Sequence, residues 1–316
     1  MLIKSAENKI LFTLKILAGF LLLLIFIQIS LGSAVRLTGS GLSCPDWPLC
    51  YGLWFPDQDK LSKITDVNYE FYQIMLEWIH RFNAAIFIAP VTLLLFFVGL
   101  KATKNRKIKT ILYSIMIVLA MQGLMGGFTV FDKNSPWSVA AHLGFALGLM
   151  FLVIKIFLVS LRLKTIKPLP NKNKKIFILY ITILIVLATM LMGAIVSKSG
   201  SSLACDLWPQ CSSDGDSLLQ YNKIIHISHR FLAVISAIFI VLVVYNYNQI
   251  IKYKIISNIR NILILLTTLQ ILLGAIVIFT ELNLFIAMLH QSIAVLIFIV
   301  LSFLFWFTLQ SNFEDN

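Results

Sequence analysis

The sequence predicts an all-α membrane protein with eight transmembrane helices, and three observations lead to this fold class. Hydrophobic residues make up 59% of the 316 residues and charged residues only 13%, with a mean hydropathy of +0.89. A soluble core does not need this much apolar surface. Eight stretches reach the length of about 20 apolar residues that a bilayer requires. The two halves of the chain also repeat one another, which predicts two pseudo-symmetric four-helix bundles.

Lys4, Lys9 and Lys15 precede a long leucine-rich stretch at the start of the chain, which resembles a secretory signal, but the stretch is too long and no cleavage site of small residues follows it. We therefore interpret it as a membrane-spanning helix. The eight predicted spans, in chain order, are 10–32, 73–99, 109–131, 136–161, 175–197, 221–247, 260–280 and 284–309.

The distribution of charge predicts the orientation of these spans. With the N-terminus inside, 18 of the 26 lysine and arginine residues fall on inner segments, and 11 of the 14 acidic residues fall on outer ones. Positively charged loops stay on the cytoplasmic side, so both termini are predicted to be cytoplasmic. The net charge of +12 then reflects the topology in a lipid bilayer, and it gives no reason to expect a nucleic-acid partner.

The internal repeat predicts two domains, 1–165 and 166–316, joined by a basic linker at 162–175 that contains Pro168 and Pro170. Each half would contain four spans and would start and end inside, as in parallel repeats related by an axis along the membrane normal. An offset of 161 residues aligns Gly32, Cys44, Trp47, Pro48 and Cys50 with Gly193, Cys205, Trp208, Pro209 and Cys211; offsets of 149 and 148 align His80, Arg81, Gln122, Gly126 and His142 with His229, Arg230, Gln270, Gly274 and His290.

Four of the five histidines form this repeated set, which is His80, His142, His229 and His290. In each half they fall on helices two and four, roughly 9–13 Å below the outer end of the span at 1.5 Å per residue. Two imidazoles at matched depth suit the iron of one planar porphyrin, so we predict one haem site per half, toward the outer face. The alternatives are a hydrogen bond between helices and a zinc or copper site, for which neither half offers a third ligand.

Charged residues flank these histidines. Arg81 and Arg230 each follow a predicted ligand and could bind the propionates of a haem, since an arginine fork suits a carboxylate; the alternative is that they reach the lipid headgroups. Glu77 lies one turn before His80, where a carboxylate could accept or relay protons, or could simply favour a helix start. The matching position in the second half holds His226.

The four cysteines form two Cys-x5-Cys pairs in outer loops, Cys44–Cys50 and Cys205–Cys211. The outer side of the membrane is oxidising, so we expect two disulfides. Closing each seven-residue ring would stabilise the protein by about 2.4 kcal/mol. Thiol exchange with an oxidoreductase is the functional alternative.

The run VRLTGSGLSCPDWPLC at 35–50, followed by EWIHR at 77–81, resembles the haem A synthases of cytochrome oxidase assembly, of the type with paired outer-loop cysteines. The resemblance extends over essentially the whole chain. It implies an oxidoreductase that converts the substrate haem O to haem A by oxidising a ring methyl to a formyl group, in two successive hydroxylation steps. It also implies that His229 and His290 hold haem b, that His80 and His142 bind the substrate or product haem, and that Glu77 is important for activity.

The same resemblance implies a multi-pass protein of the bacterial cell (inner) membrane, with haem O synthase as the upstream partner and cytochrome oxidase as the recipient of the product. An electron-transfer partner is expected but not identified. The rival interpretation is a dihaem b electron-transfer cytochrome, similar to a quinol dehydrogenase, and a haem transporter is a weaker one. His226 has no assigned role: it could compete with His229 as a ligand or contact a propionate, and the adjacent Arg230 favours His229 as the ligand.

Overall fold

The computed structural model describes residues 2–161, 171–211, 217–248 and 254–310. Within these ranges it contains no strand, and eight helices are long and apolar enough to cross a membrane. The prediction of an all-α, multi-pass membrane protein is confirmed. The eight helices are α1 Leu2–Leu37, α2 Phe71–Ala102, α3 Arg106–Phe131, α4 Pro136–Ser160, α5 Lys172–Lys198, α6 Ser217–Asn248, α7 Lys254–Phe279 and α8 Leu284–Gln310.

Each predicted span coincides with one helix, and the helices extend beyond most of the predicted ends. Local capping fixes some of these ends. The Asn105 side chain accepts hydrogen bonds from the backbone N–H groups of Lys107 and Ile108 at the start of α3, and Ser135 caps α4, whose first residue is Pro136. Both are favoured ways to begin a helix. The predicted spans are shorter because hydropathy identifies only the apolar part of a helix and does not detect its polar ends.

Helix α2 departs from regular α-helical geometry at Asn83–Ile88, which forms a π-helical segment between Phe71–Phe82 and Ala89–Ala102. The segment begins two residues after Arg81. Its counterpart α6 is α-helical throughout Ser217–Asn248. Short π-helical segments are frequent at functional sites, and this one distinguishes the first half from the second.

The two halves pack together through α1, α4, α5 and α8, while α2 and α3 flank one side and α6 and α7 the other. Helices α4 and α8 are the most buried of the eight. Trp306 of α8 donates a hydrogen bond of 2.9 Å to the carbonyl of Phe151 in α4. The same neighbours recur in both halves, since α1 contacts α2 and α4 as α5 contacts α6 and α8. The pseudo-symmetry axis and the side of each terminus remain predictions.

The two outer loops begin alike. Gly39 and Gly200 adopt φ angles of 70° and 73°, a left-handed conformation that glycine adopts without strain, and a 3-10 turn follows each. Both predicted disulfides are present, with Cα–Cα distances of 4.6 Å. Residues 162–170 of the predicted linker, and with them the domain boundary at 165/166, lie outside the described residues.

Candidate functional site

A cavity of about 740 Å³ is lined mainly by α1, α2, α3 and α4 and by the first outer loop, and Lys198 of α5 and Gln291 of α8 also contribute. This volume is within the usual range for a site that binds a small organic molecule or cofactor. Its polar lining side chains are Gln28, Ser33, Arg36, Glu77, His80, Arg81, Gln122, Thr129, Asn134, His142, Lys198 and Gln291, together with the indole groups of Trp47, Trp54 and Trp78. The predicted residues Glu77, His80, Arg81 and His142 are therefore brought together in one cavity.

The two first-half histidines face each other. The ring centres of His80 and His142 are 6.4 Å apart and the ring planes are inclined by 68°. A metal–imidazole bond is about 2 Å long, and each nitrogen lies about 1 Å from the centre of its ring. The ring centres of two facing imidazoles that bind the same metal would therefore be roughly 6 Å apart. The observed spacing thus fits an iron atom held between these two side chains.

Each of the four paired histidines packs against a glycine on the preceding helix. A Cβ atom built on Gly32 would lie 3.0 Å from the His80 ring, and one built on Gly126 would lie 3.1 Å from His142. In the second half the corresponding distances are 3.0 Å between Gly193 and His229 and 3.1 Å between Gly274 and His290. A Cβ atom at any of these positions would therefore require the imidazole to shift by a few tenths of an ångström.

The side chains of Gln28 and Asn83 determine which ring nitrogen of His80 carries the proton. Asn83 donates a hydrogen bond of 2.7 Å to Gln28 Oε1, so the NH₂ group of Gln28 is directed toward His80, where it lies 3.2 Å from Nε2 and 2.9 Å from the backbone oxygen. An NH₂ group only donates, which means that Nε2 carries a lone pair and Nδ1 carries the proton. This is the neutral form of imidazole that coordinates a metal, and a bound metal would displace the hydrogen bond that Nε2 accepts from Gln28.

In two more of the paired histidines, the amide nitrogen of a glutamine also lies near Nε2 of the ring. The Nε2 atoms of Gln122 and His142 are 3.4 Å apart, and those of Gln270 and His290 are 3.2 Å apart. In the fourth case the backbone oxygen of Thr189 accepts a hydrogen bond of 3.1 Å from His229 Nδ1. A carbonyl oxygen accepts only, so Nε2 of His229 is left free to bind a metal, the arrangement that orients metal-binding histidines in proteins.

Unpaired polar atoms concentrate at these sites. Among the described residues, nine buried side-chain nitrogen or oxygen atoms have no hydrogen-bond partner. Five belong to residues that line the first-half cavity, and two more belong to Gln270 and His290 of the second half. Buried polar groups are normally hydrogen-bonded. Three of these atoms are Nδ1 of His80, His142 and His290, which is not the nitrogen assigned to the iron, so the fit to a haem rests on the facing imidazoles of the first half. The donor set fits a haem iron in the first half, and the second half carries the matching pair His229 and His290.

The carboxylate of Glu77 is buried, with 4% of the residue exposed, and it holds the first outer loop. It accepts hydrogen bonds from Ser43 Oγ at 3.0 Å and from the backbone N–H of Cys44 at 2.9 Å, and it forms a 2.6 Å ion pair with Arg81. Glu77 is the only carboxylate among the residues that line the cavity. It lies inside the helix Phe71–Phe82 and does not start it.

The two arginines contact outer-loop backbone. Arg81 donates to the carbonyl oxygens of Asp46, Leu49 and Cys44 at 2.5–3.0 Å. Arg230 donates to the carbonyl oxygens of Leu207, Pro209, Gln210 and Cys205 at 2.8–3.2 Å. Each arginine thus ties its helix to the disulfide-bonded loop above it. Their predicted contact with propionates stays a prediction.

His226 also ties its helix to a loop. It is buried, and its Nδ1 donates to the carbonyl oxygen of Ser201 at 3.0 Å. In the first half Glu77 makes the corresponding connection to Ser43 and Cys44. Glu77 and His226 thus share a structural role, and only Glu77 lines the cavity described above.

The sequence interpretation missed Gln28 and Asn83. Neither residue type is repeated in the second half, where Thr189 and Leu232 occupy the matching positions. A comparison of the halves that searched for differences as well as identities would have drawn attention to both. Gln122 and Gln270 are repeated, and their place one turn before a repeated glycine was the available signal.

Comparison with known proteins gives consistent results. A family model described as cytochrome oxidase assembly protein matches residues 15–302. A heme A synthase from Geobacillus thermodenitrificans is 29% identical over 294 residues, covering 89% of this chain and 87% of the relative. A heme A synthase from Bacillus pumilus (strain SAFR-032) is 27% identical over 96% of both chains. A heme A synthase from Geobacillus kaustophilus (strain HTA426) is 28% identical over 92% of this chain and 90% of the relative. Because the family match extends from the first helix into the last, this chain belongs to the cytochrome oxidase assembly protein family.

Proposed function

We propose that this chain is a haem A synthase, an oxidoreductase that binds haem O between His80 and His142 and oxidises one ring methyl to the formyl group of haem A in two successive hydroxylations. The observation that carries the proposal is the first-half cavity, in which two imidazoles face each other at 6.4 Å beside a single carboxylate. The names of the relatives support the same activity.

In this proposal the two first-half histidines hold and orient the substrate. Gln28 and Asn83 keep the proton of His80 on Nδ1, so that Nε2 can bind iron once Gln28 is displaced. Gly32 and Gly126 give the two rings their positions. Holding the porphyrin at its centre fixes its position, and contacts at its edge must then determine which peripheral group reaches the reactive region; such positioning is a large part of enzymatic rate enhancement. Residues of the first outer loop, among them Trp47 and Trp54, line the outer part of the cavity.

Glu77 is the proposed catalytic residue. As the only carboxylate in the cavity lining, it is the group placed to accept or pass on protons while the methyl group is oxidised. Its ion pair with Arg81 keeps the charge balanced in a site of low polarity. Arg81 and, in the second half, Arg230 are proposed to contact haem propionates while they hold the loops.

The second half is proposed to bind haem b through His229 and His290. A haem held by two histidines supplies one-electron transfer. The chain orients the His229 ring through Thr189 and the His290 ring through Gln270, and Gly193 and Gly274 admit both rings. The second half differs from the first in Gln28, Asn83 and Glu77, which supports different roles for the two sites.

The proposed location is the cell (inner) membrane of a bacterium, with the haem sites toward the outer face. Haem O synthase would supply the substrate and cytochrome oxidase would receive the product, and a separate electron-transfer protein or quinone would complete the redox balance. The bilayer is the remaining partner.

Analysis of the haems extracted from the purified protein tests this proposal. Haem A or a hydroxylated haem O alongside haem b is expected. Haem b alone, at two per chain, would instead support a dihaem electron-transfer cytochrome. The variants His80→Ala and His229→Ala separate the sites, because the first should lose the substrate or product haem and the second should lose haem b.

A further inference from the structure

Two cationic side chains, Arg36 and Lys198, lie together in the lining of the first-half cavity. Arg36 belongs to α1, where Gln28, Gly32 and Arg36 line the cavity at intervals of four residues and therefore share one face of the helix. Gly32 packs against His80. Arg36 then lies about 6 Å further along the helix axis than Gly32, toward the outer loop.

Lys198 comes from the other half of the chain. It is the last residue of α5, and its charge and that of Arg36 are close enough to repel each other. Like charges at short distance in a partly buried site are unfavourable, although the nearby helix C-termini offset part of this repulsion. Neither side chain forms an ion pair with a carboxylate among the residues that the structure describes.

The hydrogen-bonding capacity of both cations is largely unused. Arg36 Nη2 donates to Gln291 Oε1, which fixes the guanidinium, while its Nε is buried without a partner. Lys198 has no hydrogen-bond partner among the described residues. By contrast, Arg81, the third cation of the cavity, is already bound to Glu77 and to three loop carbonyls. An anionic ligand in this cavity would therefore meet its free donors at Arg36 and Lys198.

We propose that Arg36 and Lys198 form a carboxylate-binding subsite that holds one propionate group of the porphyrin bound between His80 and His142, and that the other is left to the contact with Arg81 proposed above. This inference rests on the proposed function, in which a porphyrin with two carboxylates occupies the cavity. The planar guanidinium can bind a carboxylate through two parallel hydrogen bonds, and the ammonium provides a second charge. The matching positions of the repeat hold Ser197 and Leu37, so the subsite belongs to the first half alone.

Porphyrin binding with and without free carboxylates tests the subsite. The purified full-length protein is titrated with ferric haem and, in parallel, with its dimethyl ester, and the absorbance change that His80→Ala abolishes is assigned to the first-half site. Wild type is expected to bind haem at least about ten-fold more tightly than the ester. Arg36→Gln and Lys198→Gln should each weaken haem binding by about ten-fold and leave ester binding unchanged.

Lys63→Gln is the matched control, because Lys63 is an exposed cation of the first outer loop that does not line the cavity. It should leave both affinities unchanged. Arg36→Gln also loses the contact with Gln291, so the decisive variant is Lys198→Gln, which has no such hydrogen bond to lose.

Equal affinity of wild type for haem and ester, or unchanged haem binding by Lys198→Gln, would overturn the subsite while His80-dependent binding still supported the proposed function. If neither porphyrin gave a His80-dependent signal, the substrate site itself would be refuted, and the subsite with it.

Discussion

Replacing the glycines that face the second-half histidines tests the placement of those rings directly. In Gly193→Ala and Gly274→Ala the new methyl group would lie 3.0 and 3.1 Å from the His229 and His290 rings, whereas carbon atoms in favourable contact are about 3.5–4.0 Å apart. Each ring would have to move by roughly half an ångström. Such overpacking costs about 1–3 kcal/mol, which corresponds to roughly 5- to 150-fold in a binding constant. Alanine also favours a helix by about 1 kcal/mol over glycine, so the helix itself should not weaken.

The assay is the amount of haem b that remains bound after purification, together with its reduced-minus-oxidised visible spectrum. Gly148→Ala is the control, because a Cβ at that helical position meets nothing within 4 Å. Gly193→Ala and Gly274→Ala should lose haem b or shift its bands, and Gly148→Ala should do neither. Full haem content and an unchanged spectrum in all three variants would refute the assignment of His229 and His290 as haem ligands whose rings pack against Gly193 and Gly274.

Three further predictions concern the first half. Glu77→Gln breaks a buried ion pair and should lower the free energy of unfolding by about 3–5 kcal/mol. It should also stop product formation while haem b is retained. Full activity with an unchanged melting temperature would show that Glu77 has neither the structural nor the catalytic role. Cys44→Ser opens the ring closed with Cys50 and should cost about 2.4 kcal/mol, seen as a lower melting temperature, and an unaltered melting curve would contradict this. Asn83→Leu removes the 2.7 Å hydrogen bond to Gln28 and should reduce turnover with no change in haem b; wild-type turnover would count against the role of this hydrogen bond.

The membrane fold could be predicted because apolar length alone determines it. A helix is the structure that satisfies its own backbone hydrogen bonds in lipid, so each long apolar stretch became a helix. The pairing of His80 with His142 followed from equal depth on helices of one half, and the disulfides followed from cysteine spacing in outer loops. These predictions needed no knowledge of side-chain contacts.

The partners of Arg81 could not be predicted, because its guanidinium binds carbonyl oxygens whose positions depend on the path of the folded loop. The same loop determines the hydrogen bonds of Glu77. The π-helical segment at Asn83–Ile88 gives no pattern in hydropathy, since it changes the geometry of a helix without changing its composition. Sequence periodicity reports which face is apolar, and it does not report where a polar group finds its partner.

The central position of α4 and α8 has a consequence for the independence of the two halves. A four-helix unit alone would expose to lipid the faces of α1 and α4 that now contact α5 and α8. Expressed as separate chains, residues 1–165 and 166–316 should therefore accumulate in the membrane only together; accumulation of either alone would contradict this dependence.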